Sequence, residues 1–93
     1  MGTFHDDLGE LHGITVVVDT TGPQIYIGRC HEETEAGILL LDVDEHTDGD
    51  KGQSKDDFVQ RAAKFGQWKK HDRVLVPREV MASVRRLGEI ATG

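Results

Sequence analysis

The feature that most constrains this chain is hydrophobic alternation in short β-branched runs, separated by glycine-bearing turns. Gly13–Asp19 (GITVVVD) sets Ile14, Val16 and Val18 against Thr15, Val17 and Asp19, the period-2 pattern of a one-sided strand. Thr20-Thr21-Gly22-Pro23 supplies turn chemistry, because glycine tolerates positive φ and proline fixes its own. Gln24–Cys30 (QIYIGRC) resumes the alternation with Ile25 and Ile27 on one face and Tyr26 on the other, and Gly28 marks a bulge or sharp bend. Past the acidic turn His31–Ala36, Gly37–Val43 (GILLLDV) reads as a third, largely buried strand, and Arg73–Pro77 (RVLVP) as a fourth. The expected core is Ile14, Val16, Val18, Ile25, Ile27, Leu39, Leu41, Val74 and Val76. A short chain buries such strands and shelters their edges by curling the sheet. The expectation is therefore a mainly β fold, a strongly bent sheet of about five strands, closed or nearly so.

One stretch breaks the two-residue period. Asp44–Gln53 (DEHTDGDKGQ) is polar and glycine-containing, a loop. Across Ser54–Phe65, Phe58, Ala62 and Phe65 then recur at helical spacing beside Val59 and Ala63. Ser54 and Asp57 have capping-box spacing, with Asp where Glu or Gln is usual, and Gly66 stands where a left-handed cap would end the helix. The expectation is one inserted α-helix, about 54–66, laying Phe58, Ala62 and Phe65 over one opening of the barrel. For Arg78–Ile90 periodicity leaves two options open. Val80, Val84, Leu87 and Ile90 fit a helical face after Pro77, whereas Val80, Ala82 and Val84 also alternate, and Gly88 weakens a helix running through it. Met1–His12 reads as a flexible terminus, so residues 13–93 form the single domain.

This order of elements resembles the Sm-like group of small SH3-like barrels. In that family a G-x-x-V-x-V strand is followed by an aromatic-x-G strand, an L-x-L strand, a V-x-I-P stretch and a final strand. The counterparts are Gly13–Val18, Tyr26-Ile27-Gly28, Leu39–Leu41, Val74–Pro77 and Val80–Leu87, with Asp44–Asp72 inserted between the third and fourth strands. The resemblance tips the last segment towards a strand and implies ring-like assembly. It does not carry over the family's RNA contacts. Glu33-Thr34-Glu35-Ala36-Gly37 stands where the family has an Asp-Met-Asn signature, and Val84-Arg85-Arg86-Leu87 has arginines without the adjoining glycine. Carboxylates are electrostatically wrong beside a phosphate.

Charge narrows the partners. The net charge is −6, but up to Ser54 two basic residues face twelve acidic ones, whereas from Lys55 onward nine basic residues face five acidic ones. A split from −10 to +4 supports head-to-tail association or a local basic face, unless folding mixes the two halves on one surface. An apolar fraction of 37% is modest for a core, and self-association buries further apolar area. A single cysteine, Cys30, excludes an internal disulfide. Met1–Leu11 carries no basic, apolar leader, and no run approaches the roughly 20 apolar residues that span a bilayer. A cytoplasmic protein with no membrane partner is expected.

Candidate chemistry is sparse. Aligned as a calcium loop from Asp44, the chain has Asp48 and Gly49 in place, but His46 at position three and Lys55 at position twelve, where a bidentate glutamate belongs. His31 and His46 bracket the third strand. At about 3.3 Å per residue its seven residues hold them about 20 Å apart, too far to share a metal, so they read as surface histidines. Ser54 is explained by capping, Ser83 has no base nearby, and Cys30 reads as a small buried or edge residue. No catalytic residue, metal site or cofactor is expected. The one aromatic among cations is Gln67-Trp68-Lys69-Lys70-His71-Asp72-Arg73, where Trp68 offers a stacking face beside Lys69, Lys70 and Arg73, with Arg85 and Arg86 as further cations from the last strand. The expected function is a non-enzymatic binding or assembly module that self-associates through strand edges or meets a protein partner. The alternative is an Sm-like RNA-binding protein using that basic and aromatic patch.

Overall fold

A computed structural model describes residues 12–90; of the expected flexible terminus Met1–His12, only His12 lies within them. The strands are β1 (Thr15–Thr20), β2 (Gln24–Glu33), β3 (Gly37–Thr47), β4 (His71–Pro77) and β5 (Met81–Arg86), and the helix α1 (Lys55–Phe65) stands between β3 and β4. All pair antiparallel in one sheet, in the order β4-β3-β2-β1-β5. A 3-10 turn at Arg78–Val80 joins β4 to β5, and another at Leu87–Glu89 follows β5. The last segment is thus a strand between two short turns, as the resemblance implied.

The sheet curls because its two longest strands are kinked where they meet. Ile27 pairs with Asp44 and Arg29 with Leu41, so Gly28 alone faces both Asp42 and Val43. The extra residue lies in β3, where Asp42 takes a left-handed φ of 53°, a conformation aspartate tolerates better than most residues. Gly28 makes room for it: a Cβ there would sit 3.1 Å from the Leu41 carbonyl oxygen and 3.1 Å from a Val43 methyl. Val16, Val18, Cys30, Ile38, Leu40, Val43 and Val76 form one buried cluster, with Tyr26, Val74, Met81 and Val84 packed against it. All five strands feed that cluster, including the two edge strands, which requires the sheet to wrap around it.

This bulge overturns part of the expected core. Leu39 and Leu41 were expected inside, and they share the parity of Val43 in sequence. One extra residue at Asp42 reverses the parity, so Val43 joins Ile38 and Leu40 inside. Leu39 and Leu41 are half-buried on the outer face, whereas Ile14 and Val74, also half-buried, pack against the cluster as expected. Val17 belongs to a second cluster with Ile25, Ile27, Phe58, Val59 and Ala62. Ile25 and Ile27, opposite in parity to Val16 and Val18 across the ladder, therefore lie on the outer face of the sheet, where α1 covers them.

The helix starts and stops where its sequence directs, although Gly66 ends it at φ 88° and ψ 159° and not as a left-handed cap. The Ser54 hydroxyl accepts the Asp57 N–H at 3.1 Å, the Ser54 N–H donates back to the Asp57 carboxylate at 3.3 Å, and the Gly66 N–H closes the last turn on the Ala62 carbonyl. Its docking differs from expectation. Phe58, Val59 and Ala62 are buried against β1 and β2, while Phe65 is 81% exposed. Residue 65 lies seven positions, almost two turns, beyond Phe58, at the end of the helix where the sheet no longer lies beneath it. Lys55 pins the other end: its ammonium donates to Asp19 at 2.7 Å and to the Thr20 and Gly22 carbonyls at 3.0 and 2.7 Å.

Candidate functional site

The expected cations belong to two strands and the linker between α1 and β4. Lys69 and Lys70 precede β4 and Arg73 lies near its start, whereas Arg85 and Arg86 end β5, at the opposite edge of the sheet. Lys69 and Lys70 are engaged within the molecule. Lys69 meets Asp72 at 2.7 Å and Asp42 at 3.9 Å. The hydrogen bond and charge of Asp72 hold the Lys69 ammonium above its ordinary value, and Lys69 in turn holds the Asp72 carboxyl below its own. The Lys70 ammonium donates to the Glu45 carbonyl at 2.8 Å. Arg86 stands 3.5 Å from Glu89. Arg73 and Arg85 are exposed.

Trp68 is 76% exposed, yet its main chain is fixed. Its N–H donates to the carboxylate of Asp44, a buried residue, at 3.1 Å, and the Lys70 N–H donates to the Val43 carbonyl at 2.8 Å. The bulge at Asp42 brings Asp44 onto the outer face, opposite Ile27. The acidic loop read as a failed calcium site thus spends its first carboxylate on the linker after α1. Asp48 likewise accepts the Lys55 N–H at 3.1 Å. Among the described residues no three His, Cys, Asp or Glu groups converge as a metal site would need. His46 is not a surface histidine: it is buried, stacked on Phe58 with ring centroids 4.9 Å apart, and its Nε2 lies 2.7 Å from the Gln53 carbonyl.

These contacts frame a cleft of about 240 Å³ between α1, the far end of β3 and the linker. Its floor includes His46, Phe58 and Ala62, with Arg61, Trp68 and Lys70 among its walls. It continues into a groove lined by Arg61, Phe65, Gly66, Gln67 and Trp68. Sequence reasoning singled out Trp68 but not Arg61, and laid Phe65 over one opening of the barrel. The four-residue spacing of Arg61 and Phe65 was legible as one helix face; which face would meet the sheet was not.

The second candidate surface is the pair of edge strands. Among the described residues, β4 and β5 each have one neighbour, β3 and β1 respectively. Each has an uncharged centre, Val74-Leu75-Val76 in β4 and Met81-Ala82-Ser83-Val84 in β5, beside charges at one end. Leu75 is 48% exposed.

No protein-family model and no curated protein matches the sequence. Among solved structures, the chain is similar to a Sm-like archaeal protein from Pyrobaculum aerophilum, at 16% identity and a TM-score of 0.57, over 87% of this chain and 48% of that one. It is also similar to a chain of the NatC complex bound to CoA, at 19% identity and a TM-score of 0.56, over 83% of this chain and 79% of that one. The chain therefore spans about half the length of the archaeal structure. The fold is that of the Sm-like, SH3-like small barrels, with a helix inserted between the third and fourth strands.

Proposed function

We propose that the protein is a non-catalytic assembly module whose copies join edge to edge, β4 of one against β5 of the next. The observation that carries this is the pair of open edges. A sheet edge presents a row of N–H and C=O groups that templates further pairing unless it is covered, charged or broken. Here the edges are close in length, seven and six residues, with uncharged centres. Joining unlike edges makes a head-to-tail interface, which repeats until a ring closes. That a Sm-like protein and a member of a multi-subunit complex share the fold supports the reading.

Ala82 gives a clean test. Thr20 pairs with Met81 and Asp19 with Ser83, so Ala82 is an extra residue with no partner in β1. Ala82→Pro places a proline at the bulge of this edge strand, a position that tolerates it, and so blunts the edge. The variant is expected to keep the circular dichroism of the parent and to sediment as a smaller species. An unchanged mass would contradict edge pairing through β5.

The RNA-binding alternative gains one specific point. Antiparallel edge pairing would set the start of β4 opposite the end of the next copy's β5, bringing Arg73 near the neighbour's Arg85 and Arg86. Retention on single-stranded RNA should then be lost with the assembly and fall steeply with salt.

A further inference from the structure

We propose that the groove at the end of α1, lined by Arg61, Phe65 and Trp68, docks a linear segment of a partner protein that carries an apolar anchor beside a carboxylate. Two observations carry this. Phe65 and Trp68 are 81% and 76% exposed on a chain with three phenylalanines and one tryptophan. Their exposure is not slack in the linker. The Gly66 N–H is held by the Ala62 carbonyl at 2.8 Å, the Trp68 N–H by the Asp44 carboxylate and the Lys70 N–H by the Val43 carbonyl. A buried carboxylate is committed to fixing a backbone whose indole faces water. Aromatic rings carried on a backbone held in this way lose less entropy on binding than rings on a mobile loop, and tryptophan and arginine are enriched in protein-binding hot spots.

Charge complementarity selects the occupant. Arg61 has no hydrogen-bond or ion-pair partner among the described residues, and it lines the groove together with both rings, with no acid among its walls. An unpaired guanidinium beside apolar rings suits a carboxylate, which it holds through two parallel hydrogen bonds. A nucleic-acid strand fits less well. Leaving the groove along the adjoining cleft, its phosphates would pass Asp44, Glu45 and Asp50, whereas a peptide meets the groove with one carboxylate and need carry no other. The groove residues lie outside β4 and β5, so this site stands or falls independently of edge pairing.

The test pans a phage-displayed random dodecapeptide library on the immobilised full-length chain, on Trp68→Ala and on Arg61→Glu. The best selected peptide is then titrated against each protein in solution, with Trp68 emission as the reporter in the two proteins that keep it and peptide anisotropy in all three. The expected selection places Asp or Glu beside an aromatic or aliphatic residue. Trp68→Ala should weaken that peptide at least tenfold, and Arg61→Glu should turn the preference to Lys or Arg. Amide shifts of the parent protein on peptide addition should centre on residues 61–68, a readout that does not depend on any variant folding. Selection without a consensus, a consensus bound equally by Trp68→Ala, or shifts centred elsewhere would overturn the proposal. Oligouridylate displacing the peptide at physiological salt would also overturn it, in favour of RNA. A smaller sedimenting species for Trp68→Ala would do so in favour of a second copy of this chain.

Discussion

Gly37 opens β3 opposite Pro77, with a φ of 154° that side chains rarely adopt, and a Cβ there would clash with the Val76 carbonyl oxygen. The close approach holds the β2–β3 turn against the end of β4, where the Arg78 guanidinium ties the same turn through Glu33 at 3.1 Å and the Thr34 carbonyl at 2.7 Å. Gly37→Ala should cost of order 1–3 kcal/mol for the conformation alone, with the clash added, read by chemical denaturation. Tyr26 carries a second prediction at this scale. Burial, and then the charge of Glu45, push its phenol above the ordinary 10.0. The folded state therefore favours the neutral form. That stability is fully present below the unfolded value near 10 and is lost as pH rises through the raised one. As Tyr26 is the one tyrosine of the chain, ultraviolet titration reports it alone and should give a midpoint above 10.0. A midpoint at or below 10.0 would show the ring free in water.

Among the elements, α1 separates what the sequence states from what only packing decides. Ser54, Asp57 and Gly66 announced its ends, because caps act through bonds within a few residues. Its orientation depended on where the sheet ended, so Phe58 and Phe65 looked alike in sequence and differ in fact. Phe58→Ala should destabilise by about 3–5 kcal/mol, and Phe65→Ala by no more than about 0.5 kcal/mol, as exposed sites do. Equal losses in thermal or urea unfolding would mean that the helix docks on another face. The same limit explains β3. Its run of four apolar residues from Ile38 to Leu41 named a strand, but nothing local showed that Asp42 would take a left-handed turn and reverse the alternation. Gly28 signalled the bend, and the residue that bulges stands across the ladder from it.

For the molecule as a whole, the number of strands, their positions along the chain and the helix insertion were legible because alternation and turn chemistry are local signals that add along the chain. The charge split was legible as composition and misleading as geometry. Folding pairs second-half cations with first-half acids, Lys55 with Asp19, Lys69 with Asp42 and Arg78 with Glu33, so much of the asymmetry is spent within one copy. Such exposed or partly exposed pairs add little stability. They also leave less opposed charge to steer one copy onto another, so assembly by backbone pairing should depend weakly on salt. Sedimentation velocity of the full chain, at high protein concentration and across low to physiological salt, measures this most directly. Edge pairing predicts one defined species at a multiple of the monomer mass, little changed by salt and reduced by Ala82→Pro. A monomer throughout, at high protein concentration in low salt, would contradict it.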